Sequence, residues 1–165
     1  MTTATRGKAP DADGLFLEAE KYEERCDYKS AFNCLLAAAQ LGHHMSQINL
    51  GNFYASGTGV KKNLEKAAFW YKKAYKNGDN DGALNLAIDR RNGGNLRSAV
   101  VWFKKAIAMN SGDACIELAK IYGARRGGQK AAASLLRRAL RMSRDHISDD
   151  ARDKAASLLR TMTKT

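Results

Sequence analysis

The chain has 165 residues, 44% of them apolar, a single proline (Pro10) and a net charge of +11. That length suits one domain with a sizeable core, and the abundance of Ala, Leu, Lys and Arg favours helix. A bilayer span is excluded, because no apolar run approaches the roughly 18–20 residues it needs; so is a disulfide framework, because Cys26, Cys34 and Cys115 are odd in number and form no C-x-x-C pair.

Residues 1–13, "MTTATRGKAPDAD", read as a disordered lead. They have no apolar core of a secretory signal, and Asp11 and Asp13 argue against an organelle transit peptide. Reduced thiols in a cytoplasmic protein follow as the expectation, with no membrane partner. Cys34 and Cys115 sit in apolar helical patterns and are expected in the core. Charge is unevenly spread: residues 1–45 carry 5 basic and 7 acidic side chains, and residues 46–165 carry 23 and 10. An acidic-leaning quarter thus joins a basic body, which suits an acidic partner surface or a plain solvated one.

Beyond the lead the chain repeats itself. "AAFWYKKAYKNGD" (67–79) and "AVVWFKKAIAMNSGD" (99–113) share an opening alanine, an aromatic pair, two lysines and a second alanine. The alanine pairs Ala31/Ala38, Ala67/Ala74, Ala99/Ala106 and Ala132/Ala139 are all seven apart, and the second alanines recur at intervals of 36, 32 and 33 residues. Such periods imply stacked supersecondary units. Seven residues is about two helical turns, so each pair lies on one helix face, where small side chains let neighbours approach closely.

A preceding helix carries its own signature in "NLGNFY" (49–54), "NLAIDR" (85–90) and "ELAKIY" (117–122), with Ala19 and Tyr22 in the first unit. The expected first helices are 14–26, 45–56, 81–91 and 113–123, and the second helices are 29–41, 64–77, 96–109 and 130–143. Units fall at 14–44, 45–79, 80–112 and 113–143, in a single domain over 14–162. A last helix, 149–162, is capped by Ser148 or Asp149 and has one apolar and one charged face, as a repeat end requires.

"YASGTGVKKN" (54–63) looks at first like a phosphate-binding loop. A P-loop needs G-x-x-x-x-G-K-[ST] between strand and helix, and neither the spacing nor the preceding helix fits. Gly57 instead ends a helix, Gly59 permits a tight turn, Val60 tucks under the loop, Lys61 and Lys62 are solvated, and Asn63 caps the next helix.

The segment 46–79 resembles a full Sel-1-like repeat, a variant of the tetratricopeptide α-solenoid. Leu50, Gly51, Tyr54, Gly57, Gly59, Val60, Lys66, Ala67, Trp70, Tyr71, Ala74 and Gly78 match its pattern. The units at 80–112 and 113–143 are degenerate, and the first is closest to a generic tetratricopeptide pair. The resemblance implies an all-α, right-handed α-solenoid of about four antiparallel helix pairs plus a C-terminal capping helix. It also implies a scaffold or adaptor whose first helices line a concave, partner-gripping face.

That geometry gives an apolar column, Phe16, Ile48, Leu84 and Ile116, flanked by Glu20, Asn52, Ile88, Arg91 and Lys120. These residues either form a groove for an apolar helix or extended peptide, or pack on the next repeat. Lys72-Lys73, Lys104-Lys105 and Arg137-Arg138 recur in step as a basic ladder on the second helices. It reads first as a solvated face, then as a seat for an acidic protein, and last for nucleic acid, since no reading motif accompanies it.

No metal or cofactor is expected: His43, His44 and His146 lack ligand spacing, and "LGHH" suits a turn. No catalytic constellation appears either. Three non-enzymatic functions remain open. The first is a protein-interaction module; the second, suited to a short chain read as complete, is a bacterial immunity or chaperone-like protein that neutralises a toxin; the third and lesser is nucleic-acid binding through the basic face. The oligomeric state is left open.

Overall fold

The computed structural model describes residues 11–162, so most of the expected disordered lead lies outside the described residues. Among the described residues there are nine helices. They are α1 (Ala12–Glu24), α2 (Tyr28–Gln40), α3 (His44–Ser56), α4 (Leu64–Lys76), α5 (Asn80–Asn92), α6 (Leu96–Ala108), α7 (Gly112–Gly123), α8 (Gln129–Leu140) and α9 (Asp149–Met162). The first eight form four antiparallel pairs and α9 closes the series, which is the all-α solenoid class expected from the repeats.

The chain forms two compact units that divide inside α4, between Trp70 and Tyr71. In the first, α2 packs on α1 and α3. In the second, α6 packs between α5 and α7, α8 packs on α7, and α9 packs on both α7 and α8.

All eight repeat alanines are 0% exposed. Their methyl groups are the contact surface, and larger residues fill the space between: Leu35 in the first unit, Phe103, Leu118 and Leu136 in the second. Each large side chain contributes about 1.5–3 kcal/mol on burial. A glycine continues the logic at the start of α5, where a Cβ on Gly82 would lie 2.4 Å from the Tyr71 carbonyl oxygen.

Local signals explain the helix ends. Asp11, Asp27, Asn63, Asn95, Ser111 and Ser148 each accept a backbone N–H of the following first turn through a side-chain oxygen. The Asp11 cap corrects one expectation: α1 starts at Ala12, not after residue 13, and Asp13 sits in its positive first turn. Ser148, rather than Asp149, caps α9. The other visible difference is α8, which stops at Leu140 instead of 143 because Arg152 of α9 reaches across. Its guanidinium donates to the Leu140 and Met142 carbonyl oxygens, both at 2.8 Å.

The "YASGTGVKKN" loop behaves as a helix stop. Gly57 ends α3 in the left-handed region (φ 87°), and its N–H donates to the Phe53 carbonyl. Gly59 follows with φ 65° and presses against α2, where an added Cβ would fall 2.2 Å from the Tyr28 carbonyl oxygen. Val60 packs on the cluster of Ala19, Ala31, Leu35 and Phe53, while Lys61 and Lys62 are exposed. Of the thiols, Cys115 is fully buried, Cys34 is half-buried, and Cys26 is exposed in a left-handed turn.

Two substitutions test this packing. Ala106→Leu forces a branched side chain into a helix contact and should destabilise the chain by about 1–3 kcal/mol; Ala108→Leu, exposed on the same helix, should stay within about 0.5 kcal/mol. Gly59→Ala combines a left-handed backbone with a carbonyl collision and should cost about 1–3 kcal/mol. Urea midpoints of the three variants against the parent chain give the comparison.

Candidate functional site: a cation-rimmed groove on α5, α6 and α7

The end of α5, the start of α6 and the end of α7 enclose a groove of about 420 Å³, lined by Arg91, Leu96, Lys120, Ile121, Ala124 and Arg125. Its floor is apolar and its rim cationic. Leu96 is 43% exposed, and its side chain lines the groove instead of closing into the core. Arg91 and Lys120 reach the rim from different helices because both grip Glu117 of α7, Arg91 through one carboxylate oxygen and Lys120 through the other.

Burial pushes the Glu117 carboxyl up, but the hydrogen bonds and charges of Lys120 and Arg91 outweigh it and hold it below the usual carboxylate range. One carboxylate against three rim cations leaves the groove positive. Arg125 lies over the Tyr122 ring, 5.9 Å from its centroid, which holds a third guanidinium at the rim.

Two of the residues flanking the sequence-derived column, Arg91 and Lys120, therefore meet in one site. Leu84 and Ile88 are half-buried and pack on the second unit's core. Ile48 (7% exposed) and Ile116 (1%) are closed inside and present no surface. In the first unit Phe16 is half-buried, its ring 4.8 Å from that of His43, while Glu20 and Asn52 are exposed. Glu117 was not singled out from the sequence, although its i, i+3 spacing to Lys120 on one helix was a usable sign.

The basic doublets split. Lys72, Lys104 and Arg137 are exposed. Two of their neighbours make contacts with other helices: half-buried Lys105 lies 3.9 Å from the Trp102 centroid and 5.5 Å from that of Tyr75, and Arg138, exposed like Arg137, donates to the Ile107 carbonyl oxygen at 3.0 Å. Lys73 is half-buried. The doublets are thus not one uniform ladder.

A second depression, about 290 Å³, is of opposite sign, with Asp79, Asp81, Asp113, Asp145 and His146 in its wall. Burial, then Asp79 and Asp113, raises the Asp81 pKa. Among the described residues no three His, Cys, Asp or Glu side chains are grouped to hold a metal ion. His43 caps α3 instead, accepting the Ser46 N–H at its Nδ1 (3.2 Å). No helix among the described residues is long and apolar enough to cross a membrane.

Glu117→Gln leaves Arg91 and Lys120 without their counter-charge. It should destabilise the chain by about 1–2 kcal/mol, between the values for exposed and buried ion pairs. Because the folded-state pKa is lowered, the contribution is present above the ordinary carboxylate value and is lost as pH falls through the lower folded value. Urea unfolding of parent and variant should therefore differ at pH 6 and converge towards pH 3.

The Sel1 repeat model matches this chain at residues 15–43, 44–79 and 85–111. The first unit is thus a Sel1 repeat rather than a generic pair, and α7–α8 forms a fourth pair beyond the matched segments. A chitin synthase regulator of Saccharomyces cerevisiae is 43% identical over 53 residues, 32% of this chain and 8% of that protein. A Sel1 repeat protein from Oxalobacter formigenes superposes with a TM-score of 0.65 at 26% identity, over 82% of this chain and 57% of that one. A protective antigen of uropathogenic Escherichia coli with the SLR fold gives a TM-score of 0.69 at 15% identity, over 93% and 38%. The chain spans less than two thirds of each of these relatives. With three matched repeats covering more than half its length and helix pairs continuing at the same period, the chain belongs to the Sel1 repeat family.

Proposed function

We propose that the chain is a non-enzymatic adaptor that holds a segment of another protein at the α5–α6–α7 groove. The segment carries an apolar side chain for the Leu96–Ile121 floor and a carboxylate for the rim. Helix-pair repeats of this type mediate protein–protein interactions. The observation that carries the reading is the pairing of Arg91 and Lys120 on one carboxylate beside an exposed leucine. Glu117 shows that a carboxylate satisfies both cations, and Arg125 remains at the rim for a second. An apolar anchor ringed by charge is the usual anatomy of a peptide-binding hot spot. Leu84 and Ile88, half-exposed on the same helix as Arg91, extend the contact along α5. We also propose a cytoplasmic location, which the three free thiols favour; fractionation would check it.

The test pairs capture with substitution. A photo-crosslinker at Leu96 should trap a partner through an acidic segment. Leu96→Asp and Arg125→Glu, both at exposed positions, should each weaken that partner's binding by about tenfold or more while the circular dichroism spectrum is retained. Unchanged binding in both variants would remove the groove from the interface.

A further inference from the structure

The second unit sorts its charge by helix. The part of α4 beyond Trp70, together with α6 and α8, carries nine lysines and arginines and no aspartate or glutamate. The acidic residues of that unit fall on α5, α7, α9 and the loops. Solvated helices ordinarily mix signs, because i, i+4 pairs of opposite charge stabilise them and like pairs destabilise them by similar amounts. Here Lys72 and Lys76, and Arg137 and Arg141, are like pairs at that spacing. Nothing in the packing demands this, since all four of these side chains are exposed.

The three helices follow one another along the repeat, and the second members of two doublets tie them together. Lys105 spans from Trp102 of α6 to Tyr75 of α4, and Arg138 of α8 bonds the last turn of α6. The first members, Lys72, Lys104 and Arg137, come at equivalent repeat positions, with Arg97 and Lys130 further along the same helices.

We propose that this cation-rich face, with Glu65 in the first turn of α4 as the one carboxylate on its helices, binds the phosphate backbone of duplex nucleic acid without reading its sequence. Duplex DNA carries about one negative charge per 1.7 Å of axis, and a regular array of exposed cations is its complement. An acidic protein is the poorer fit. Protein interfaces centre on buried aromatic or aliphatic anchors, and on α6, α8 and the part of α4 beyond Trp70 the large apolar side chain exposed outside the groove is Val101 alone among the described residues, Leu64 and Phe69 being exposed earlier on α4. Single strands need open aromatic platforms, whereas Lys105 lies over both Trp102 and Tyr75. Contacts made by lysine and arginine to phosphate position a duplex but do not specify bases.

The experiment is fluorescence anisotropy of a labelled DNA duplex of about 24 base pairs with the full chain, titrated from about 50 to 200 mM salt. Binding should weaken steeply with salt. The triple variant Lys72→Gln/Lys104→Gln/Arg137→Gln should bind at least about tenfold more weakly at the lowest salt and flatten the log–log salt slope by about 2–3 units, near 0.9 per lost contact. Lys61→Gln/Lys62→Gln, a charge loss in the first unit, should stay within about twofold. The proposal is overturned by absence of duplex binding at the lowest salt, by an equal loss in the Lys61/Lys62 variant, or by polyglutamate or phosphatidylserine vesicles competing as well as the duplex does at equal charge. Circular dichroism of each variant separates lost contacts from lost fold.

Discussion

Everything in this molecule depends on how closely its helices approach one another. Two alanines, seven residues apart on the second helix of each pair, set that distance, and all eight are sealed from solvent. A methyl group brings two helix axes nearer than a leucine would, and the larger residues then fill what remains. The constraint explains why the repeat survives where other signatures have faded. Residues 80–112 have lost the tyrosine and the long loop yet keep Ala99 and Ala106.

Close, apolar contacts leave charge free to be sorted elsewhere. Within the second unit the first helices, α9 and the loops hold the acids, and the charged residues of the second helices are all cations. Two kinds of surface result. One is a groove where cations are tied to Glu117 beside an apolar floor, and the other an array of cations whose helices carry a single carboxylate, Glu65 in the first turn of α4. Segregation of this sort carries a local energetic penalty in like-charge repulsion, which distinguishes it from a surface merely built for solubility.

Most of the fold was legible in the residues. Periodicity located each helix, and cap residues such as Asn63 and Ser148 fixed the starts of α4 and α9. The misses came where distant segments meet. The end of α8 depends on Arg152, which lies in the following helix, and no local rule anticipates it. The site was half legible. Arg91 and Lys120 were identified by register, but Glu117 gains its role only when α5 and α7 lie together. The split of the doublets was readable in principle. At about 100° per residue, Lys104 lies about 200° from Ala106 and so faces away from the contact, whereas Lys105 sits on its flank.

The bond from Arg138 to Ile107 and the bonds from Arg152 to Leu140 and Met142 share one chemistry: a guanidinium from a later helix, α8 in the first case and α9 in the second, satisfies carbonyls at or just past the end of an earlier second helix. A second helix can thus have its closing carbonyls satisfied by one arginine, whether that arginine comes from the second helix of the following pair or from a single helix packed on the pair.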